Sequence, residues 1–180
     1  MATLVSNFST AKSYEVAPFT GSAWGNPSNA LTSNSAYTDS GGNNSYTDVL
    51  GMRGLAGYLN LPTTAVINGI EITVVVFNIA RAGAGNITGY FNLVKATDNR
   101  VGTQKTLGFP AGSGGTYTLG SSTDVWGTSW TAAEIRDAEF GVDVGYFFSQ
   151  FFSVQLEQVY ATIYYTDTGG GGTSRVFLIT

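Results

Sequence analysis

Strict alternation of apolar and polar positions is the strongest signal along the chain. Ile70, Ile72, Val74 and Val76 alternate with Glu71, Thr73, Val75 and Phe77, which predicts a long strand with apolar residues on both faces at its centre. Gly83-Ala84-Gly85-Asn86 supplies a turn, and Ile87 to Ala96 runs back with Phe91 and Leu93 on one face. Asp98-Asn99 is a second turn signal before Val101 to Phe109, and Gly112 to Gly115 a third before Thr116 to Leu119. Phe140, Val142, Val144 and Tyr146 alternate with Gly141, Asp143 and Gly145 and predict a half-buried strand. Val159, Ala161, Ile163 and Tyr165 mark the last strong strand. Val154 and Leu156 lie in the opposite phase, so a bulge or turn is expected near Glu157-Gln158. Short strands separated by Gly-rich turns predict an all-β chain, a single antiparallel β-sandwich or barrel.

A helix is persuasive at one place. Thr131 is a capping residue and Glu134 completes a capping box before Ile135 and Ala138, which predicts a short helix near 132–138 over one end of the sandwich. Around this core the chain divides into an N-terminal arm (1–12), the sandwich (13–167), and a Gly-rich linker with a β-prone tail (168–180). Trp24 to Asp48, crowded with Asn, Ser, Thr, Gly and Asp, reads as long loops with one short strand near Ala36-Tyr37. Gly169 to Gly172 is the linker, and Arg175, Val176, Phe177, Leu178 and Ile179 form the tail. Such a run needs a partner strand. It either closes the edge of its own sandwich or adds a strand to a neighbouring subunit, and these five residues are the candidate assembly contacts.

Composition narrows the chemistry. The 180 residues are 43% hydrophobic and 13% aromatic, ample for one core, but only 11% charged, well below the roughly 25% of an ordinary soluble protein. A net charge of −4 argues against nucleic acid as a partner. With no Cys and no His, disulfides, zinc sites of nitrogen and sulfur ligands, and Cys- or His-activated nucleophiles are all excluded. Met1 to Thr10 lacks a basic region followed by an apolar run, so no secretory signal is read there. No segment reaches the ~18 consecutive apolar residues of a membrane span.

Several motifs have a functional and a structural reading. Trp24-Gly25, Trp126-Gly127 and Trp130 suggest platforms for sugar rings, but core or interface packing is the favoured expectation. Asp39 and Asp48 could offer oxygens to calcium, yet their spacing fits no helix-loop-helix site and Asx turns explain them, so no metal is expected. Asp124, Glu134, Asp137, Glu139 and Asp143 raise the possibility of paired carboxylates for glycoside hydrolysis. Most have evident caps, turns or strand exteriors to serve, so the expectation is a non-enzymatic protein without cofactor. Gly83-Ala84-Gly85 lies between strands with no following helix and cradles no phosphate.

Further motifs follow in order: Trp24-Gly25-Asn26-Pro27-Ser28-Asn29-Ala30, then Leu61-Pro62-Thr63-Thr64-Ala65-Val66-Ile67-Asn68-Gly69-Ile70-Glu71-Ile72. Asp124-Val125-Trp126-Gly127, Trp130-Thr131, Phe140-Gly141-Val142 and Val159-Tyr160-Ala161-Thr162-Ile163-Tyr164-Tyr165 complete the series. Over about residues 18–166 this string resembles a group of small β-sandwich proteins encoded among the structural genes of tailed bacteriophages. The resemblance implies a jelly-roll-like fold, a place in the virion as a head decoration or cement protein, and no catalytic residues. Expected partners are copies of itself, as a trimer or another small oligomer, and virion proteins such as the major capsid protein, with assembly in the host cytoplasm. The alternative is a receptor- or carbohydrate-binding module of a tail or head fibre, suggested by the Trp24 to Asp48 loops. Exposure separates the two: a binding module presents two or three aromatics to solvent, and a cement subunit buries them.

Overall fold

The computed structural model describes residues 1–33, 36, 38–42, 44–81, 87–96, 99–109, 114–149 and 152–169. Its ten strands are β1 (Ala2–Tyr14), β2 (Thr38–Gly42), β3 (Ser45–Tyr46), β4 (Val49–Leu55), β5 (Ala65–Arg81), β6 (Ile87–Lys95), β7 (Asn99–Phe109), β8 (Gly115–Gly120), β9 (Gly141–Phe148) and β10 (Phe152–Asp167). The described pairings between them are antiparallel and form two packed layers. In the first sheet β8, β5 and β10 are neighbours, and the far edge of β10 is shared by β2 and the first half of β1. The second sheet runs β7, β6, β9, β4 and the second half of β1, with β3 beside β9. The chain changes sheet within β1 and again after β1, β2, β4, β5, β7, β8 and β9, and β6–β7 is a hairpin within one sheet. The all-β sandwich expectation holds, and these crossings have the jelly-roll character.

The core lies between the sheets, where Ile70, Ile72, Val74, Leu156, Val159 and Ile163 of the first sheet meet Leu50, Met52, Phe91, Leu93, Val142 and Val144 of the second. The expected irregularity near Glu157-Gln158 is present, and a second accompanies it at Asn68-Gly69. The β10 register shifts between Leu156 and Gln158, so Val154, Leu156, Val159 and Ala161 all stay buried although their phases differ. The β5 register slips where Ile67 faces Tyr165 and Gly69 faces Tyr164, leaving Asn68 as the extra residue in the Asn68-Gly69 pair.

The N-terminal arm is corrected by the structure. Residues 2–7 pair with β10, residues 8–14 pair with β4, and Leu4 and Phe8 are core residues. The inward positions 2, 4, 6 and 8 carry Ala, Leu, Ser and Phe, and buried Ser6 accepts a hydrogen bond from the Gly57 amide (2.8 Å). A serine on the inward face masked the alternation. The helix is also shorter than expected, a single turn, α1 (Ala132–Ile135). Its capping box is present, with Glu134 N–H donating to Thr131 Oγ1 and Thr131 N–H donating to the Glu134 carboxylate. The Trp24 to Asp48 region holds a 3-10 turn (Pro27–Leu31), β2 and β3, so its strands lie beyond Ala36. The tail residues Arg175, Val176, Phe177, Leu178 and Ile179, with most of the linker and of the Gly83 and Gly112 turns, lie outside the described residues.

Candidate functional site

The three tryptophans belong to the core, as the packing expectation had it. Trp24, Trp126 and Trp130 are buried, and their indole N–H groups donate to the carbonyls of Asp48, Ile70 and Val125 at 2.9–3.0 Å. Trp126 and Gly127 both take left-handed backbone, and this tight turn drives the Trp126 ring inward beneath β5.

The carboxylates considered for catalysis are dispersed among separate partners. Asp124 pairs with Lys105 and caps the Trp126 amide, Glu134 pairs with Lys95 and caps α1, and Asp137 accepts from the Glu139 amide. Partial desolvation raises the Asp124 and Glu134 carboxyls, but hydrogen bonds from Lys105 and the Trp126 amide, and from Lys95 and Thr131, outweigh it and hold both below their ordinary range. Asp48 accepts from the Gly21 amide and from Ser13 Oγ. Among the described residues no group of three or more carboxylates could hold a metal ion.

Asp143 is different. The sequence places it on the outer side of β9, yet it is 2% exposed. Two guanidinium groups converge on it: Arg53 Nη2 lies 2.8 Å from Oδ1 and Arg100 Nε 2.6 Å from Oδ2. The Tyr14 hydroxyl donates to Oδ1 at 2.6 Å and accepts from Arg53 Nη2 at 2.9 Å. Arg53, itself 4% exposed, also donates to the carbonyls of Met52 and Val142. Burial, reinforced by the neighbouring Asp143 carboxylate, pushes the Tyr14 phenol far above its ordinary value, so it stays a neutral donor. The half-buried strand of the sequence reading is thus covered on both faces.

Glycine makes this covering possible. A Cβ at Gly51 would stand 2.5 Å from the Tyr14 ring, and one at Gly145 would stand 2.5 Å from the Phe19 ring. Both rings lie flat on the sheet because those strand positions have no side chain. Phe19 is buried under this arrangement and sits outside the main core. It gathers the edges of Tyr46 (5.1 Å) and Tyr90 (5.5 Å), and Tyr46 in turn meets Phe147 at 4.9 Å. Tyr46, Tyr90 and Phe147 remain half-buried with solvent-facing surface. Desolvation, and then Tyr46 alongside, raises the Tyr90 phenol above its ordinary value.

These groups form one continuous band on the outer face of the second sheet. At one end Arg53 lines a pocket of about 200 Å³ with Ser9, Thr10, Tyr58 and Arg136. The Arg53–Asp143–Arg100 network occupies the middle, and Arg100 stacks on Phe19 with its guanidinium carbon 5.6 Å from the ring centre. The tyrosine and phenylalanine rings form the other end. Of this band the sequence reading singled out only Asp143, and Tyr46 fell within the Trp24 to Asp48 loops. Tyr14, Phe19, Arg53, Tyr90, Arg100 and Phe147 were missed. Their signal was the alternation Gly141, Asp143, Gly145, since bare outward positions on a strand invite something to lie across them.

No family model matches the sequence, and no curated protein matches it. Among solved structures, PfGH50B is similar at 10% identity and a TM-score of 0.36, over 79% of this chain and 24% of that one. The CBM22-1 xylan-binding domain from Paenibacillus barcinonensis Xyn10C is similar at 8% identity and a TM-score of 0.33, over 88% of this chain and 95% of that domain. The chain thus spans about a quarter of PfGH50B. At these scores neither likeness carries weight for what the chain does.

Proposed function

We propose that this chain is a non-catalytic recognition module that binds glycan chains across the outer face of its second sheet. The observation that carries the reading is the set of half-buried rings, Tyr46, Tyr90 and Phe147, held around Phe19 beside a polar network on the same rigid face. Rings fixed by packing lose little entropy on binding, and their faces suit the axial C–H surfaces of sugars. The neighbouring Asn92 and Gln104 side chains supply donors and acceptors for hydroxyl groups. Affinity electrophoresis of the whole chain through gels containing soluble polysaccharides tests this. Retardation that Tyr90→Ala and Phe147→Ala abolish, with thermal stability retained, supports the proposal. Retardation unaffected by both substitutions refutes it.

A second reading keeps the chain as a virion subunit that decorates or cements a capsid. Its support is apolar surface on the outer face of the first sheet, where Val5 is 40% and Phe77 55% exposed. In that reading the chain associates with copies of itself and with the shell protein, and covers those positions. Mass photometry with and without empty capsid shells separates the two readings: stoichiometric coating of shells favours the cement role.

A further inference from the structure

We infer that the glycan taken by this face is acidic, and that Arg100 recognises its carboxylate. The inference rests on the proposed glycan-binding role and adds the class of sugar. Two guanidinium groups share the Asp143 carboxylate, and its Oδ1 is already occupied by Arg53 and Tyr14. Tyr14 adds no negative charge, because its surroundings hold it as the neutral phenol. Arg100 reaches Asp143 through Nε alone, and its Nη2 is sealed from solvent without a hydrogen-bond partner among the described residues. A buried guanidinium nitrogen without an acceptor is costly, and a carboxylate is the partner its planar fork matches best.

Its position gives that partner a context. The Arg100 side chain is 23% exposed, and it stacks on Phe19, which gathers Tyr46 and Tyr90. A uronate residue stacked on these rings brings its carboxylate to the guanidinium edge. Phe19 packs on this guanidinium and rests over the bare Gly145, and the proposed recognition requires the ring to shift so that the carboxylate reaches Nη2. Two guanidinium groups sharing one carboxylate within a chain of net charge −4 is an arrangement suited to selection of an anionic ligand rather than to general adhesion.

The test is a binding panel on the whole chain, with polygalacturonate, alginate and hyaluronan set against neutral xylan, cellulose and starch. The expected result is uronate binding at least tenfold tighter than neutral binding and weakening severalfold between 20 and 300 mM salt, about as screening of a single ion pair requires. Arg100→Gln should cost about tenfold in uronate affinity, severalfold more than any loss in neutral binding. Arg100→Lys should recover only part of it, because the fork is lost. Neutral polymers bound as tightly as uronates overturn the inference and leave glycan recognition standing. Failure of the whole panel overturns both. If Arg100→Gln does not fold, the comparison of uronate with neutral polymers and the salt series on the unaltered chain still decide.

Discussion

Replacing Asp143 by Ala gives the largest single effect the structure foresees on the second sheet. The substitution removes the carboxylate between Arg53 and Arg100 and leaves Arg53, 4% exposed, as an uncompensated charge against the strands. Breaking a buried pair from one side costs about 3–5 kcal/mol. Arg100 is partly exposed and recovers water, so the estimate stays near 4 kcal/mol rather than doubling. In a chain of this size 1 kcal/mol shifts Tm by roughly 2–4 °C, so a fall of about 8–16 °C is expected. Lys105→Met is the reference, because its pair with Asp124 is a quarter or more exposed on both sides and should cost at most about 1 kcal/mol. Urea unfolding followed by tryptophan fluorescence, with calorimetry for Tm, measures both. The double variant Arg53→Met with Asp143→Leu should regain most of the loss, since the buried Arg53 charge is removed with its partner and only the partly exposed Arg100 is left unpaired. An Asp143→Ala chain within 1 kcal/mol of the parent, or a double variant as unstable as the single one, would refute the reasoning.

Two further predictions concern the same face and the core. Tyr14 and Tyr146 have phenols raised far above the ordinary value of 10.0, Tyr14 by burial and Asp143, Tyr146 by burial and then Tyr117. A raised folded value contributes stability that is complete below pH 10 and is lost as pH climbs above it. Absorbance at 295 nm should therefore show these two ionising only with cooperative alkaline unfolding, whereas all 10 tyrosines titrating near pH 10 with the fold intact would contradict it. Gly145→Ala places a methyl 2.5 Å from the Phe19 ring and should lift residues 15–21 off the sheet. Faster chymotrypsin cleavage at Phe19 is expected, and an unchanged rate counts against the flat-ring packing.

Much of the sandwich was legible where one face of a strand is apolar and the other is not. β6 and β10 show that pattern, the alternation of β5 was strong enough to read although both its faces carry apolar residues, and the bulge near Glu157 was readable because a change of phase leaves no other way to keep Leu156 and Val159 inside. β1 was not readable, because Ala2 and Ser6 contribute little contrast and its two halves serve different sheets. The site was hidden for another reason. Asp143 alternates like any solvent-facing residue, and what buries it arrives from Tyr14, Arg53 and Arg100, far apart in sequence. Ion pairing between distant strands has no periodicity to detect. Only the glycines flanking Asp143 hinted at a covered surface.

The divided loyalty of β1 also bears on how the chain reaches its fold. Ala2 to Asn7 find their neighbours on β10, among the last residues described, whereas Phe8 to Tyr14 wait only for β4. During synthesis the first half-strand has no β10 to pair with until nearly the whole sandwich has been made. Contacts of such long sequence separation favour slow, late closure, with the unpaired half-strand exposed to other nascent chains in the interval. Joining the two sheets through one continuous strand therefore lets the second sheet hold one end of β1 while its other end waits for β10 to complete the first.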